Sequence, residues 1–267
     1  MAAAETCSAF SLAAREPLAG TATQATRWLL IEARGTWARD VSATELPADV
    51  RAAVDDFDGR VLLIRRPDRR ADAPAAFVAE TIETGGTLRR LDGLDDLDGG
   101  ELLDGPLVLV CCHGRRDACC ARFGPAVYET LGAHVPADRL WQASHLGGHR
   151  FAANVLTLPS GVLLGRVVPG DVPRVAAALA AGTIPLDRFR GRTLHTPEVQ
   201  AADAAVRERL GLPRLSDVAV LSAQDGRVRL ATPTGELDAT VQVEPGPQQI
   251  ESCGADPVAS VRYSVRW

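Results

Sequence analysis

The placement of the cysteines is the feature that most restricts how this chain folds. Of six cysteines, four fall within the ten residues from Cys111 to Cys120, while Cys7 and Cys253 lie near the two ends. A disulfide framework normally scatters its cysteines, whereas grouped thiols in a reducing compartment serve metal, cluster or thiol chemistry. We therefore expect a fold that depends on an ordinary hydrophobic core, with the grouped cysteines in a chemical role.

The composition allows such a core. The chain has 267 residues, 46% of them hydrophobic and 24% charged, which excludes a disordered or collagen-like protein. A net charge of −5 offers no basic field for nucleic acid or an anionic membrane surface. The longest apolar stretch, Pro106–Cys112, is far short of the ~20 residues that a membrane span needs. No basic region precedes an apolar run at the N-terminus, so we expect no secretory signal and a cytoplasmic location.

Apolar patterning predicts an N-terminal α/β region over residues 1–100. Arg27–Arg34 and Arg60–Arg66 are apolar runs of strand length, and Ala76–Glu83 is a third strand candidate. The residues after Pro47 repeat apolar positions at helical spacing. The acidic, glycine-containing stretch Leu91–Asp104 is typical of an exposed connector and marks the best boundary in the chain.

A second region, 101–215, follows the connector, and a β-rich tail covers 216–267. Pro106–Cys112 is nearly continuously β-prone, as in a strand buried on both faces. Asp117 can cap a helix that runs to Leu131 and ends at Gly132. We find no sequence repeat, although the two halves could share a distant similarity in plan. Further strands and helices are predicted at Leu140–Ala143, Asn154–Leu158, Val162–Val168 (a hairpin with the preceding strand), Val172–Ala181 and Pro197–Leu210.

Chemistry concentrates in two segments of the second region, CCHGRRDACC from Cys111 and SHLGGHRF from Ser144. Thiolate and imidazole are the ligands that soft and borderline metals prefer. The cysteine segment joins a buried strand to a helix, where N-terminal amides stabilise thiolate. His145 and His149 are four residues apart, and the intervening Gly147-Gly148 favours a tight loop over a regular helix. Either geometry can aim both imidazoles at one metal.

Three chemistries fit these residues: structural zinc, a thiol redox centre and an iron–sulfur centre. Zinc-binding cysteines are usually two to four residues apart, and adjacent cysteines have poor disulfide geometry. An iron–sulfur centre tolerates the longer spacing. We expect no special role for the cysteines and histidines that lie outside these two segments and have no other candidate ligand near them in the sequence, namely Cys7, Cys253, His134 and His195.

The strings CCHGRRDACCARFG and SHLGGHRFAANVLTLPSG resemble the sucrase/ferredoxin-like family, with its C-x-H-G-x-R-D-x-C-C and S-H-x-G-G-H-R-F-A-x-N patterns. The stretch LAGTATQATRWLLIEARGTWARD is also similar to that family. The resemblance implies a thioredoxin-like [2Fe–2S] ferredoxin fold whose cluster is held by two cysteines and two histidines. Carried over by position, these ligands are Cys111, Cys120, His145 and His149. Cys112 replaces a common threonine, and the sequence leaves open whether Cys112 or Cys119 takes a ligand's place.

The expected architecture is therefore α/β: a thioredoxin-like domain with a mixed sheet, preceded by a smaller α/β region and followed by the β-rich tail. Neutral imidazoles in place of two thiolates raise the reduction potential toward about −150 to +300 mV, against about −400 mV for plant-type ferredoxins. Candidate residues around the centre are Asp117, Ser144 and Asn154, with Arg116 and Arg150 near its sulfides.

The expected function is that of an electron-transfer protein carrying one [2Fe–2S] cluster and acting with an unidentified redox partner protein, reductase or acceptor. No nucleic acid or membrane partner is expected. The alternative is a zinc-dependent binding protein with a structural Cys2His2 site. An electron carrier is expected rather than a catalyst. Sucrose hydrolysis is not supported, because a glycosidase needs two facing carboxylates and nothing in the sequence singles out such a pair.

Overall fold

The computed structural model describes residues 6–67 and 74–267. Residues 1–5, which carry part of the argument against a secretory signal, lie outside the described residues. The helices of the described residues are α1 (Cys7–Ala13), α2 (Ala48–Asp56), α3 (Ala118–Leu131), α4 (Val172–Ala180) and α5 (Pro197–Leu210). The strands are β1 (Arg27–Glu32), β2 (Arg60–Arg65), β3 (Ala76–Ile82), β4 (Gly85–Leu91), β5 (Glu101–Leu102), β6 (Leu107–Cys111), β7 (Leu140–Ala143), β8 (Val155–Leu158), β9 (Val162–Leu164), β10 (Phe189–Arg192), β11 (Ala219–Gln224), β12 (Arg227–Thr232), β13 (Gly235–Pro245) and β14 (Val261–Arg266).

The first ten strands form one mixed sheet in the order β10-β9-β8-β6-β7-β2-β1-β3-β4-β5. The remaining four form a separate antiparallel sheet, β11-β12-β13-β14. Helices alternate with strands along much of the chain, so the predicted α/β class is confirmed. No helix in the described ranges is long and apolar enough to cross a membrane.

The two halves of the large sheet repeat one plan. In the first half β1 and β2 are parallel, β3 pairs antiparallel with the other edge of β1, and β4 follows β3. In the second half β6 and β7 are parallel, β8 pairs antiparallel with the other edge of β6, and β9 follows β8. The halves meet where β2 pairs antiparallel with β7, at Ile64 opposite Ala143. The division into regions 1–100, 101–215 and 216–267 stays a prediction.

Strand β6 lies at the centre of the second half and is buried along its whole length. Successive side chains of a strand point to opposite faces of the sheet. Leu109 and Cys111 accordingly pack in one core cluster with Trp141, whereas Val110 and Cys112 pack in another, beneath α3 and α4. The alternation separates the two neighbouring thiols, because Cys111 and Cys112 belong to different faces.

Helix α3 begins where the sequence predicts. The Asp117 carboxylate accepts a hydrogen bond from the backbone N–H of Cys119 at 2.8 Å, satisfying a donor that the helix leaves free. Gly132 ends the helix. The cap places Cys119 and Cys120 in the first turn, and both thiols are fully buried. The fold thereby brings two further sulfurs next to the carboxyl end of β6.

Buried His195 predicts a pH-dependent stability. Burial first, then the positive charges of Arg192 and Arg207, lower its pKa from 6.5 to about 4. The folded state therefore binds fewer protons, so stability is complete above pH 6.5 and is lost as the pH falls toward 4. The loss is at most about 3–4 kcal/mol. We expect His195→Gln to flatten this part of the pH profile, measured by urea unfolding of metal-free protein.

Exposed His134 provides the matched control, since His134→Gln removes an imidazole without altering the core. The slope in this window also contains His149, whose pKa burial lowers to about 4. We therefore expect His195→Gln to remove part of the slope and His134→Gln none. A wild-type slope in His195→Gln would show that this group does not contribute.

Candidate metal centre

Two buried thiols form the core of the centre. Cys111 ends β6 and Cys120 lies in the first turn of α3, with their Sγ atoms 3.3 Å apart. The helix comes this close to the strand because residue 124, which faces it, is glycine. A Cβ there would overlap the backbone carbonyl oxygen of Cys111. Local packing thus sets the separation of the two sulfurs.

His145 completes a three-residue group with these thiols. One ligand atom from each of Cys111, Cys120 and His145 lies within 4.8 Å of the other two. His145 follows β7, and its carbonyl oxygen accepts a hydrogen bond from Arg60 Nη2 at 2.8 Å. Its ring Nδ1 is buried and has no hydrogen-bond partner in the part of the chain that the structure describes. A buried ring nitrogen without a partner is costly, and a metal ion would satisfy it.

His149 stands beside this group. Its ring centroid is 5.0 Å from that of His145, and the two planes are inclined by 36°. His149 Nδ1 is 3.4 Å from Asp117 Oδ2. Burial alone would raise the pKa of the Asp117 carboxyl, but hydrogen bonds from backbone N–H groups lower that pKa to about 2. A carboxylate at one ring nitrogen commonly orients a histidine whose other nitrogen binds metal. Asp117 therefore takes the orienting position that the sequence analysis suggested.

Hydrogen bonds from Arg190 and Asn154 hold the loop that carries both histidines. Gly147 and Gly148 have φ of +93° and +64°, a region that side chains with a Cβ rarely adopt. Buried Arg190 donates to the Gly147 carbonyl and to Asn154 Oδ1, each at 2.9 Å. Asn154 Nδ2 in turn donates to the Gly148 carbonyl at 3.0 Å. Asn154 therefore supports the loop, as the sequence analysis suggested, while Arg190 was not anticipated.

Replacing Asn154 with alanine is expected to destabilise the protein by about 2–4 kcal/mol, because it leaves an N–H of the buried Arg190 without a partner and removes one of the two hydrogen bonds to the Gly148 carbonyl. Chemical unfolding of metal-free protein measures this loss. Asn154→Asp keeps the acceptor for Arg190 and removes only the donor, so we expect a smaller loss. Equal losses in the two variants would contradict the role assigned to the Arg190 contact.

Electrostatics distinguish the two thiols of the centre. The pKa of Cys111 is well below its ordinary value, first because of its hydrogen bond with Cys120 and then because of nearby His145. The same hydrogen bond and burial raise the pKa of Cys120. Cys111 is therefore the first of the pair to ionise, and Cys120 releases its proton when metal binds. Metal affinity at such a pair rises with pH.

The other sequence-predicted residues have different surroundings. Burial raises the pKa of Cys112, which packs on the opposite face of the sheet. Ser144 Oγ accepts from the backbone N–H of Leu63 at 3.0 Å and so bridges strands. Arg116 pairs with Asp40, and Arg150 with Glu16 at 2.8 Å. These two arginines were expected near the sulfides of a cluster, and in the structure they pair with carboxylates.

The expectation that Cys7 and Cys253 are isolated was wrong. Their Sγ atoms lie 3.5 and 3.4 Å from that of Cys119, and Asp117 adjoins all three. His195 and His134, in contrast, belong to neither group of metal-capable residues in the described ranges. Cys119 therefore belongs to a second group of thiols, separate from the Cys111–Cys120 pair.

The fold and site define a mixed α/β protein whose described residues include two largely buried groups of thiol, imidazole and carboxylate side chains that can hold a metal ion. Family comparison narrows this class. The family model described as sucrase/ferredoxin-like matches residues 18–191, well over half of the chain. The chain belongs to the sucrase/ferredoxin-like family.

Curated relatives include proteins named "Altered inheritance of mitochondria protein 32" from three organisms. That of Meyerozyma guilliermondii is 36% identical over 32% of this chain and 34% of its own length. The Clavispora lusitaniae protein is 34% identical over 33% of this chain and 35% of its own length. The Eremothecium gossypii protein is 27% identical over 34% of this chain and 34% of its own length. The chain thus spans about a third of the length of these relatives. No solved structure matches.

These comparisons correct the predicted function. The relatives are named for the inheritance of mitochondria, and no ferredoxin or electron carrier is named among the three. The prediction of a ferredoxin-like electron carrier was wrong. The alternative of a zinc-dependent binding protein with a Cys2His2 site finds no support in these names either. What remains is a family member with residues that can hold a metal ion.

Proposed function

We propose that the chain binds a [2Fe–2S] cluster through Cys111, Cys120, His145 and His149. The observation that carries the proposal is a buried thiol pair, 3.3 Å apart, grouped with the half-buried His145, whose Nδ1 atom is buried and has no partner among the described residues. Thiolate and imidazole are the protein ligands of mixed-ligand [2Fe–2S] centres. The donor types and their burial fit that group.

The spacing of the donors favours two metal ions over one. Sulfurs that share a tetrahedral metal at bond lengths of about 2.3 Å are about 3.8 Å apart, close to the 3.3 Å of the Cys111–Cys120 pair. His149 lies outside the group that keeps all ligand atoms within 4.8 Å. A single tetrahedral ion needs all four donors closer than that, whereas a diiron core spreads them.

The sheet topology also supports this proposal. The strand order β9-β8-β6-β7, with α3 between β6 and β7 and α4 after β9, is similar to the plan of a thioredoxin-like fold. We propose that this half is thioredoxin-like and that the centre occupies the loops at the carboxyl ends of β6 and β7. Both cluster-binding segments leave the sheet there.

The protein's own residues hold and orient the ligands. The carboxylate of Asp117 lies 3.4 Å from His149 Nδ1, and Asn154 with Arg190 holds the loop between the two histidines. Cys111 is the more readily ionised thiol of the pair, since its pKa is lowered first by its hydrogen bond with Cys120. When bound, a [2Fe–2S] cluster supplies one-electron redox chemistry. A redox partner protein and a cytoplasmic location stay predictions.

The test is the metal and sulfide content of the full chain, expressed with ample iron and purified without oxygen. We expect a red-brown protein with about two iron atoms and two acid-labile sulfides. Cys112→Ser is the matched control, because it changes a neighbouring thiol on the opposite face and should keep the same content. A colourless protein that holds only zinc and no sulfide overturns the proposal.

A further inference from the structure

Three thiols from distant parts of the chain meet beside the proposed centre. Cys7 begins α1, Cys119 lies in the first turn of α3, and Cys253 lies in the loop between β13 and β14. Their Sγ atoms form a triangle with edges of 3.4, 3.5 and 3.6 Å. Cys7 and Cys119 are fully buried, and Cys253 is partly exposed. No two of these residues are neighbours in sequence, so packing of the whole chain creates the triangle.

Asp117 supplies a fourth donor. Its Oδ1 is 3.2 Å from Cys253 Sγ and 3.6 Å from Cys7 Sγ, and ligand atoms of all four residues lie within 4.8 Å of one another. The carboxylate is fixed by hydrogen bonds from the backbone N–H groups of Cys119 and Cys253, each at 2.8 Å. Purely apolar packing of thiols would not place a buried, oriented carboxylate among them.

These dimensions match a tetrahedral zinc site. With Zn–S bonds of about 2.3 Å and a Zn–O bond of about 2.0 Å, neighbouring sulfurs are about 3.8 Å apart and sulfur and oxygen about 3.5 Å apart. The observed separations fall within a few tenths of an ångström of these values. Three thiolates and one carboxylate leave no open position, which is typical of structural rather than catalytic zinc.

We propose that Cys7, Cys119, Cys253 and Asp117 bind one zinc ion that joins α1 and the β13–β14 loop to the start of α3. On binding, each of the three thiols releases its proton to solvent, and no electron is transferred. The N-terminus of α3, a helix of 14 residues, favours the resulting thiolate at Cys119. None of its four ligands is a ligand of the proposed cluster, although Asp117 and Cys7 also lie 3.4 and 3.6 Å from His149 Nδ1, and the site does not depend on the proposed function.

Disulfide formation is the competing use of the same thiols. A disulfide joins two sulfurs at about 2.05 Å and would leave the third thiol and the carboxylate without a role. Zinc uses all four groups at once. The number of free thiols distinguishes a zinc site from a disulfide, because zinc keeps all three cysteines reduced.

The experiment uses the full chain, purified with reductant and dialysed to remove weakly held metal. We expect about one zinc per chain, with Cys7→Ser and Cys253→Ser each weakening zinc affinity by more than about 100-fold, beyond the roughly 10–100-fold effect of losing an outer partner. Cys112→Ser is the control and should keep its zinc. Cys120→Ser should also keep it, although it disrupts the other centre.

Substitution of Co²⁺ for zinc gives a second readout on the wild-type chain and does not rely on variants folding. Tetrahedral thiolate coordination should give intense sulfur-to-cobalt charge-transfer bands, which excess Zn²⁺ removes. Absence of zinc and of these bands in the wild type overturns the proposal. So does zinc retained in both serine variants, or a disulfide among the three thiols. Zinc found without iron or sulfide would refute the proposed function and leave this site standing.

Discussion

Replacing Cys120 with serine is expected to reduce the iron and acid-labile sulfide of the purified chain to background. Serine keeps the shape of the side chain but removes the soft anionic ligand that iron requires. It also removes the thiol whose hydrogen bond with Cys111 lowers the pKa of Cys111, so the remaining ligand ionises less readily. Metal and sulfide analysis of anaerobically purified protein measures the effect.

The control for this variant is Cys112→Ser. Cys112 is the immediate neighbour of Cys111 but packs on the opposite face of the sheet, so its loss should leave iron and sulfide unchanged. Circular dichroism establishes that both variants fold. If Cys120→Ser folds and retains wild-type iron and sulfide, Cys120 is not a ligand. If Cys112→Ser alone loses them, Cys112 holds the position assigned to Cys111.

Replacing Gly124 with alanine is expected to destabilise the metal-free protein by about 3 kcal/mol or more. The added Cβ overlaps the backbone carbonyl oxygen of Cys111, and it also meets the Sγ of Cys112 at 3.1 Å. Backbone cannot yield as a flexible side chain can, so α3 must move away from β6. Chemical unfolding of the metal-free chain measures the loss.

Gly170→Ala is the matched control, because residue 170 is exposed and a Cβ there meets nothing within 4 Å. We expect that change to stay within about 0.5 kcal/mol of the wild type. The Gly124→Ala variant should additionally lose iron, since moving α3 separates Cys120 from Cys111. A Gly124→Ala protein with wild-type stability and iron content would show that the close contact is not needed.

Local sequence patterns predicted most of the central elements. The Asp117 cap and Gly132 end of α3, strand β7 and helix α5 occur at the predicted residues. Strands β6 and β8 differ from the prediction only at their ends, whereas β9 ends at Leu164, four residues before the predicted end at Val168. Each of these elements combines strong apolar periodicity with a distinct cap or turn, and short-range interactions are sufficient to specify it.

Strands β4 and β10 were not predicted. Strand β4 begins with Gly85 and Gly86, both at positive φ, and continues with two arginines. Strand β10 has the sequence Phe-Arg-Gly-Arg, although all four residues are buried. Both lack the apolar alternation that marks a strand, and the arginines are satisfied by tertiary contacts such as those of Arg190 with the Gly147 carbonyl and Asn154. Tertiary context decides such segments.

The residues of the candidate site likewise divide into those that local sequence patterns predicted and those that only the tertiary structure brings together. Cys111, Cys120 and His145 lie in compact motifs, and the structure brings them together. Cys7 and Cys253 had no local signal, because their contacts span more than a hundred residues and depend on where α1 and the β13–β14 loop pack. The one available hint was Cys119, a spare thiol beside a predicted ligand. Sequence spacing therefore predicts ligands that lie within one short segment far better than ligands that come from three distant segments.

The most direct test of the central account is pulsed electron paramagnetic resonance on the reduced protein, with histidine labelled with ¹⁵N. We predict a paramagnetic cluster coupled to two histidine nitrogens, with one coupling lost in His145→Cys and the other in His149→Cys. Coupling to no histidine nitrogen, or a signal unchanged by both substitutions, would contradict the mixed thiolate and imidazole ligand set.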